Sequence, residues 1–272
     1  MKRTDLETKK ARLEKILGEY GTLLVAFSGG VDSTLLLAEA RKVLEKNVVA
    51  VTFDSPLQPR REIEAAVEAA GELNVAHSLI RTETLAPPEL LSNGRNRCYA
   101  CKKHMAGKLL DIARELGIDA IAHGANLDDL DDFRPGFRAA REAGMVAPLM
   151  DAGFTKADVR ALSKEMGLET WNKPAMACLA TRIPYDTPIT LDALRKIDRA
   201  ETAVLSAGFS ACRVRCHGDC ARIELLPAEL ERMLERSLRD DITVALRKIG
   251  FLYVSVDLEG YGQGRMNRTE QG

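Results

Sequence analysis

Short apolar runs alternate with amphipathic segments through the first half of the chain. The apolar runs predict β-strands over 22–27, 47–53, 75–80 and 119–124. Apolar residues at helical spacing predict helices over 6–17, 31–45, 60–73 and 99–116. Because strands that alternate with helices build parallel sheets with both faces covered, the pattern predicts an α/β fold with a doubly wound parallel sheet.

The pattern changes after residue 171. Residues 171–188 carry three prolines and little periodicity, which is typical of a long functional loop or an interdomain connection. Beyond them the chain predicts a helix over 191–207, strands over 211–216, 221–226 and 251–257, and a helical stretch over 227–249 that breaks near Asp240. This is the pattern of a smaller C-terminal α+β domain.

These elements predict three parts. The first, 1–188, holds the doubly wound sheet, its leading helix and a cysteine-bearing loop. The second, 189–259, is a small α+β domain for substrate binding or oligomerisation. The third, 260–272, is Gly-rich and polar, and is expected to be a flexible tail.

Composition and charge narrow the class of protein. With 46% apolar and 29% charged residues, the chain is that of an ordered protein. The 39 basic and 40 acidic residues leave no positive excess, so nucleic acid is not an expected partner. The N-terminal segment has no apolar core of a signal peptide and no run of 18 apolar residues occurs, so we expect a cytoplasmic protein without a membrane partner. Six cysteines in such a protein are expected to be thiols, metal ligands or catalytic groups.

A glycine-containing turn follows the first predicted strand. Its residues are Ser28, Gly29, Gly30, Val31, Asp32 and Ser33. The glycines let backbone amides point inward, and the following helix brings the positive end of its dipole, so the turn can hold phosphate oxygens. A Gly-Gly pair can also serve only as a tight turn. The turn lacks the lysine and spacing of a Walker A loop and the Gly-x-Gly-x-x-Gly of a dinucleotide site, which disfavours both functions.

In this setting the turn resembles the pyrophosphate-binding loop (PP-loop) of the N-type ATP pyrophosphatases. The resemblance implies the adenine nucleotide alpha hydrolase-like fold and cleavage of ATP between its α and β phosphates. It also implies Mg²⁺, release of pyrophosphate and an adenylylated intermediate.

Three further segments extend the resemblance. They are 52–56 (TFDSP), 123–129 (HGANLDD) and 173–185 (KPAMACLATRIPY). Together with the turn they are similar to the LarE family, ATP-dependent sulfur transferases that help to build a nickel-pincer nucleotide cofactor. The resemblance implies sulfur insertion into pyridinium-3,5-biscarboxylic acid mononucleotide. It adds Thr52, Ser55, Gly124 and Asn126 to the residues expected to bind ATP.

Cys178 is the family's expected catalytic residue. On local sequence alone its apolar neighbours favour a buried structural cysteine. The resemblance implies instead that its sulfur takes part in the transfer. In the best-known version of the reaction the cysteine gives up its own sulfur and becomes dehydroalanine, which makes the protein a single-turnover reagent.

Cys98 and Cys101 suggest a second version. They lie one turn apart at the start of a predicted helix, a pattern compatible with half a zinc site, a redox pair or no function. With Cys178 they could hold a [4Fe-4S] cluster that leaves one iron for a transferable sulfide. We favour this multiple-turnover version, with sacrificial sulfur donation as the alternative.

The C-terminal part offers candidates for substrate binding. Strand alternation puts Cys212 and Cys216 on one face, and core packing with Cys220 at a turn is favoured over a second metal site. Arg213 and Arg215 then share the other face. Without the resemblance they are two solvated arginines; the resemblance implies that they bind the phosphate of the mononucleotide, together with Arg182 and Glu201.

The sequence does not decide which carboxylates bind magnesium. Asp128, Asp129, Asp131 and Asp132 could bind Mg²⁺ or be solvated loop charges. Asp32 is the preferred carboxylate near the metal because it lies within the turn. His123 stands where the family commonly has an aspartate, and we assign it no role.

Other functions remain as alternatives. A tRNA thiolation enzyme would share the turn and the three cysteines, but the charge of −1 and the lack of an added RNA-binding domain disfavour it. A glutamine-dependent amide synthase would need an N-terminal cysteine, where this chain has Met1-Lys2. A nonenzymatic iron–sulfur carrier would leave the turn unexplained. The sequence does not indicate the sulfur donor, and the resemblance implies a homo-oligomer.

Overall fold

The computed structural model describes residues 3–82, 87–130, 135–174 and 177–262. The chain divides into two compact units. The first comprises Met1–Leu90 and Asn96–Met176, and the second comprises Leu91–Arg95 and Ala177–Gly272. No helix in the described ranges is both long enough and apolar enough to cross a membrane.

The first unit is built on a four-stranded parallel sheet. Its strands are β1 (Leu23–Ala26), β2 (Val48–Asp54), β3 (Ala76–Arg81) and β4 (Ala120–His123), in the order β3-β2-β1-β4. In register, Leu23 pairs with Val48 on one side and with Ala120 on the other. Strand order therefore reverses between β1 and β4, the place where doubly wound sheets bind ligands. The predicted fold class is confirmed.

Helices cover both faces of this sheet. The helices of this part of the chain are α1 (Arg3–Gly18), α2 (Val31–Leu44), α3 (Arg60–Glu72), α4 (Pro88–Leu91), α5 (Arg97–Leu116), α6 (Pro135–Glu142), α7 (Pro148–Asp151) and α8 (Lys156–Glu165), with short 3₁₀ helices at Leu127–Asp129 and Glu169–Asn172. Alternate strand residues face opposite sides. Leu23 and Val25 belong to a core with α1, α2 and α8, whereas Leu24 and Val51 belong to a core with α5.

The second unit contains a three-stranded mixed sheet, β5 (Cys212–His217), β6 (Cys220–Leu225) and β7 (Tyr253–Val256). β5 and β6 are antiparallel, whereas β6 and β7 are parallel. The helices are α9 (Leu191–Ser206), α10 (Leu230–Met233) and α11 (Arg236–Ile249), with 3₁₀ helices at Leu179–Arg182 and Pro227–Glu229. A small α+β unit is present, as predicted.

Two predicted boundaries differ from the structure. The break near Asp240 is wrong: the helical stretch is interrupted between Met233 and Arg236, and Asp240 lies inside α11, where it pairs with Arg236 one turn earlier. The units divide at Met176–Ala177 and not at residue 188. Residues 177–188 group with the second unit because Arg182 is buried there against α9. Most of the predicted tail, 263–272, lies outside the described residues.

Candidate nucleotide site and cysteine segment

Gly29 has both a conformation and a position that require glycine. Its φ is 66°, in the left-handed region. A Cβ on Gly29 would lie 2.9 Å from the Cα of Ala66, so α3 packs directly against the turn. α2 begins at Val31, and its N-cap, Gly30, contributes no side-chain hydrogen bond. The amides of the first turn of α2 are therefore suited to an anion.

Ser28 and Ser33 form hydrogen bonds within the turn. The amide of Ser28 donates to Oγ of Ser33 at 3.3 Å, and that hydroxyl donates to the carbonyl of Gly30 at 3.1 Å. The hydroxyls of Ser28 and Ser33 are 3.1 Å apart. The turn thus gathers two hydroxyls and the helix amides at one end of the sheet.

The segment after β4 meets this turn. A Cβ on Gly124 would lie 2.8 Å from the amide nitrogen of Ser33, so only glycine permits the close approach. Nδ2 of the buried Asn126 donates to Oδ1 of Asp32 at 2.9 Å. Gly124 and Asn126 are therefore brought to the turn, at the reversal of strand order between β1 and β4.

Two lysines reach the turn from distant parts of the chain. Nζ of Lys156, in the first turn of α8, bonds to Oδ2 of Asp32. Nζ of Lys173 donates to the carbonyl of Gly29 at 3.0 Å and pairs with Glu62 at 2.8 Å. The sequence reasoning missed both. Lys156 follows Thr155, which forms a capping box with Asp158 at the start of α8. The sequence pattern of this capping box could have placed Lys156 in the first turn of a helix.

A pocket lies beside the turn at the carboxyl ends of β1 and β2. Its lining includes Phe27, Ser28, Thr52, Glu62 and Lys102. The hydroxyl of Thr52 donates to the carbonyl of Phe27 at 2.7 Å and lies 2.8 Å from Nε2 of His77, whose pKa is lowered by burial.

Ser55 is placed differently. Its hydroxyl accepts from the amide of Leu57 at 3.3 Å, and Ser55 is not among the residues that line the pocket. Its role in binding ATP stays a prediction.

The carboxylates near the turn have partners. Asp32 accepts from Asn126 and Lys156, so a magnesium ion at Oδ2 would have to replace the ammonium group. Asp128 and Asp129 accept from the amides of Lys156 and Asn126. Asp131 and Asp132 lie outside the described residues. In the described ranges, no three His, Cys, Asp or Glu residues form a ready-made metal site.

His123, at the end of β4, is kept neutral. Burial, with a smaller effect of the Lys102 charge, lowers its pKa to about 4. Its ring packs edge-on against Phe137.

The backbone around Cys178 is held by hydrogen bonds within the second unit. The carbonyl of Cys178 accepts three hydrogen bonds. The donors are the amide of Thr181 at 3.0 Å, the hydroxyl of Thr181 at 2.8 Å and Nη1 of Arg182 at 3.1 Å. Arg182 is fully buried and pairs with Glu201 of α9 through Nε at 2.7 Å. Arg182 and Glu201 thus hold the Cys178 segment, and this geometry favours a positioning role over contact with a phosphate.

Arg213 and Arg215 are not solvated surface side chains. Arg215 makes two bonds to the buried Glu224, at 2.9 and 2.8 Å, and a third to the carbonyl of Thr181. Arg213 is buried and lies over the ring of Tyr261; burial first, then the neighbouring Arg182 charge, lowers its pKa. Their binding of a substrate phosphate stays a prediction.

The other cysteines lie as follows. Cys98 and Cys101 are in the first turns of α5 in the first unit; Cys98 is exposed and Cys101 half-buried. Cys178 belongs to the second unit. Cys212 is buried in the core beneath β5, as expected, with Cys216 packed against that core.

Comparison with known proteins agrees with this geometry. Residues 22–95 match the family model "Queuosine biosynthesis protein QueC". The chain is 40% identical to an uncharacterized protein of Synechocystis sp. over 97% of this chain and 98% of the relative. It is also 40% identical to the pyridinium-3,5-bisthiocarboxylic acid mononucleotide synthase of Lactiplantibacillus plantarum, over 97% of this chain and 95% of that enzyme. The chain belongs to the LarE family.

Membership of the LarE family makes the chain an ATP-dependent sulfurtransferase of the PP-loop type, as the resemblance implied. More distant relatives share only part of it. A tRNA-cytidine(32) 2-sulfurtransferase of Anaeromyxobacter sp. is 31% identical over 43% of this chain and 40% of its own length. The likeness to the LarE family covers both units, whereas this likeness does not extend over half of the chain.

Proposed function

We propose that this protein inserts sulfur into pyridinium-3,5-biscarboxylic acid mononucleotide, in the biosynthesis of a nickel-pincer nucleotide cofactor. One observation carries the proposal. The glycine-containing turn 28–33, whose amides are suited to an anion, lies where strand order reverses, in a chain that covers 95% of a synthase named for the bisthiocarboxylic product. The pocket beside Thr52 and Ser28 would take the nucleoside of ATP.

The first step activates the acid. A substrate carboxylate oxygen attacks the α phosphorus of ATP, the bond from that phosphorus to the bridging oxygen breaks, and pyrophosphate leaves. The turn 28–33 would hold the departing phosphates through its amides and hydroxyls, with Gly124 and Asn126 behind it. Mg²⁺ would neutralise phosphate charge, and Asp32 is the proposed ligand. The product is an acyl adenylate, in which AMP is a good leaving group.

The second step transfers sulfur. A sulfur nucleophile attacks the acyl carbon and AMP leaves with the carbon–oxygen bond electrons. If Cys178 is the donor, a thioester forms, and loss of the Cα proton with cleavage of the Cβ–S bond releases the thiocarboxylate and leaves dehydroalanine. The bonds that fix the carbonyl of Cys178 would keep this residue in place for the attack.

We favour a cluster-dependent version of that step. A [4Fe-4S] cluster would supply a sulfide on the iron that lacks a protein ligand. Cys98 and Cys101, three residues apart in the first turns of α5, would be two of its ligands and Cys178 the third. What supports this version is the Cys-x-x-Cys pair at a helix start; sacrificial donation from Cys178 is the alternative. We propose Arg213 and Arg215 as partners of the substrate phosphate.

Release of pyrophosphate tests the proposal. Purified protein with Mg·ATP should form AMP and pyrophosphate only when the biscarboxylic mononucleotide is present. Unmodified tRNA and nicotinic acid mononucleotide, which has one carboxylate, serve as parallel additions. Pyrophosphate release that depends on tRNA would contradict the proposal and support the tRNA thiolation alternative, since the sulfurtransferase relative acts on tRNA-cytidine.

A further inference from the structure

The peptide unit between Gly29 and Gly30 is held from one side by a half-buried ion pair between Lys173 and Glu62. Lys173 donates to the carbonyl oxygen of Gly29 at 3.0 Å, and its ammonium lies 2.8 Å from Oε2 of Glu62. The side chains of Lys173 and Glu62 are only 19% and 14% exposed. A pair this poorly hydrated is held in place more firmly than a surface ion pair.

Both partners are anchored independently of each other. Arg160 of α8 donates to the carbonyls of Trp171 and Lys173 at 2.7 and 2.9 Å, which fixes the backbone that carries Lys173. Glu62 lies on α3 one turn before Ala66, and Ala66 is the residue whose Cα would be 2.9 Å from a Cβ on Gly29. One face of α3 therefore contacts the turn directly and also holds the lysine.

The bond to the carbonyl fixes the direction of an amide. In a planar trans peptide the C=O and N–H bonds point in opposite directions. With the Gly29 oxygen bound to Lys173, the N–H of Gly30 must point to the other side, where its nitrogen is 3.4 Å from Oγ of Ser28. That contact is long, so a phosphate oxygen could replace it readily. Gly29, at a φ of 66°, could otherwise allow the peptide to rotate.

We propose that Lys173, held by Glu62, is a positioning residue that orients the Gly29–Gly30 peptide so that the amide of Gly30 faces the phosphates of ATP. This inference rests on the proposed use of ATP. It does not depend on which acid is activated, because the turn would bind pyrophosphate in the same way for any acceptor. It also assigns the Glu62 carboxylate, which lines the nucleotide pocket, a function other than binding the substrate.

Binding measurements with pyrophosphate, ATP and AMP test the proposal. Lys173→Met should weaken the binding of pyrophosphate and ATP by about tenfold, the effect of losing one charge-assisted hydrogen bond, and should change AMP binding by less than about twofold. Lys164→Met is the matched control, since Lys164 is exposed and contacts Trp171 on the same unit. Unchanged pyrophosphate binding in Lys173→Met, or an equal loss for AMP, would overturn the proposal.

A second variant separates positioning from direct contact with phosphate. If Lys173 bound phosphate itself, Glu62→Gln would tighten pyrophosphate binding, because it removes a negative charge that competes for the ammonium group. If Lys173 positions the peptide, Glu62→Gln should weaken pyrophosphate binding in the parent protein and not in the Lys173→Met background. Tighter binding in the parent would refute the positioning role. Failure of the parent protein itself to bind ATP or pyrophosphate would refute the proposed function instead.

Discussion

At the scale of single residues, two buried ion pairs hold the segment around Cys178 in place. Arg182 and Arg215 each pair with a buried glutamate and each bond to a backbone carbonyl between Cys178 and Thr181. Removing one partner of such a pair leaves the other charge buried and unpaired, which costs several kcal/mol. The arginines therefore fix the backbone at Cys178, and Cys178 itself is a free, half-buried cysteine.

Cys178→Ala should abolish sulfur transfer and leave adenylylation. Cys178 is not one of the residues of the turn 28–33, and the hydrogen bonds that hold its backbone are made by its carbonyl, which the substitution keeps. The measurement is pyrophosphate release and thiocarboxylate formation in the same samples. Cys220→Ala is a control for loss of a thiol from the same unit, since Cys220 is half-buried and its thiol lies near Ser255. Loss of both activities in Cys178→Ala would contradict the assigned role.

Glu39 is a buried carboxylate outside the site. It is fully buried on α2, neither oxygen accepts a hydrogen bond from the described residues, and Lys10 and Lys42 approach only to 4.0 Å. Burial raises its pKa, and the two lysines oppose this. The folded state then binds the proton more tightly than the unfolded state, so stability is lost as pH rises through the folded pKa.

Glu39→Gln should therefore raise the free energy of unfolding at pH 8 by about 1 kcal/mol or more, because no charge is then buried. The gain should shrink as the pH is lowered toward the ordinary carboxyl pKa, where Glu39 is also neutral. Urea unfolding at several pH values between 5 and 8 measures this. Glu14→Gln, which changes a half-buried partner of Lys42, is the control. A gain that does not vary with pH would contradict the explanation.

At the scale of elements, the site depends on three chain segments that converge where strand order reverses. The turn after β1, the segment after β4 and the start of α8 meet through Asp32, Asn126 and Lys156. α8 is held in turn by its capping box and by the pair between Asp158 and Lys9 of α1, at 2.8 Å. Packing of α8 thus determines where the Lys156 ammonium lies.

Gly29→Ala should remove the binding of pyrophosphate. The substitution places a Cβ 2.9 Å from α3 and forces an alanine to a φ of 66°, so the turn must shift. Gly144→Ala is a matched control, since Gly144 also has a positive φ, 73°, but its Cβ would meet no atom within 4 Å. Gly144→Ala should lose about 1 kcal/mol of stability from its positive φ alone, and Gly29→Ala should lose more because of the contact with Ala66. Only Gly29→Ala should lose binding in calorimetry. Equal binding by the two variants would show that the close packing against α3 is unimportant.

The elements themselves could be predicted where periodicity is strong. All four strands of the first sheet were expected at their places, within two residues at most ends. Helices α6, α7 and α8 were not, because they are short and two of them begin with a proline that also marks turns. The lysines of the site were also missed by the sequence analysis, but for a different reason. Lys156 and Lys173 are 124 and 144 residues from their partners, and only tertiary packing brings them together.

At the scale of the whole molecule, the residues of the proposed reaction are divided between two compact units. The nucleotide turn, Cys98 and Cys101 belong to the first unit, and Cys178 with its arginines belongs to the second. Residue pattern alone placed the boundary after the cysteine loop. The structure groups residues 177–188 of that loop with the second unit because Arg182 is buried against Glu201, a contact that no local pattern reveals.

The fate of the Cys178 sulfur decides between the two versions of sulfur delivery. In the sacrificial version, each turnover converts one Cys178 into dehydroalanine, so the protein loses the mass of one hydrogen sulfide and stops after one cycle. In the cluster-dependent version, Cys178 keeps its sulfur, and product exceeds protein when sulfide is supplied. We expect the second result from mass spectrometry of anaerobically reconstituted protein after turnover.

We also expect Cys98→Ala and Cys101→Ala to lose the brown colour of the cluster, whereas Cys220→Ala, which changes a thiol near Ser255, should keep it. Dehydroalanine at residue 178 in stoichiometric yield, with a colourless parent protein, would establish the sacrificial version instead.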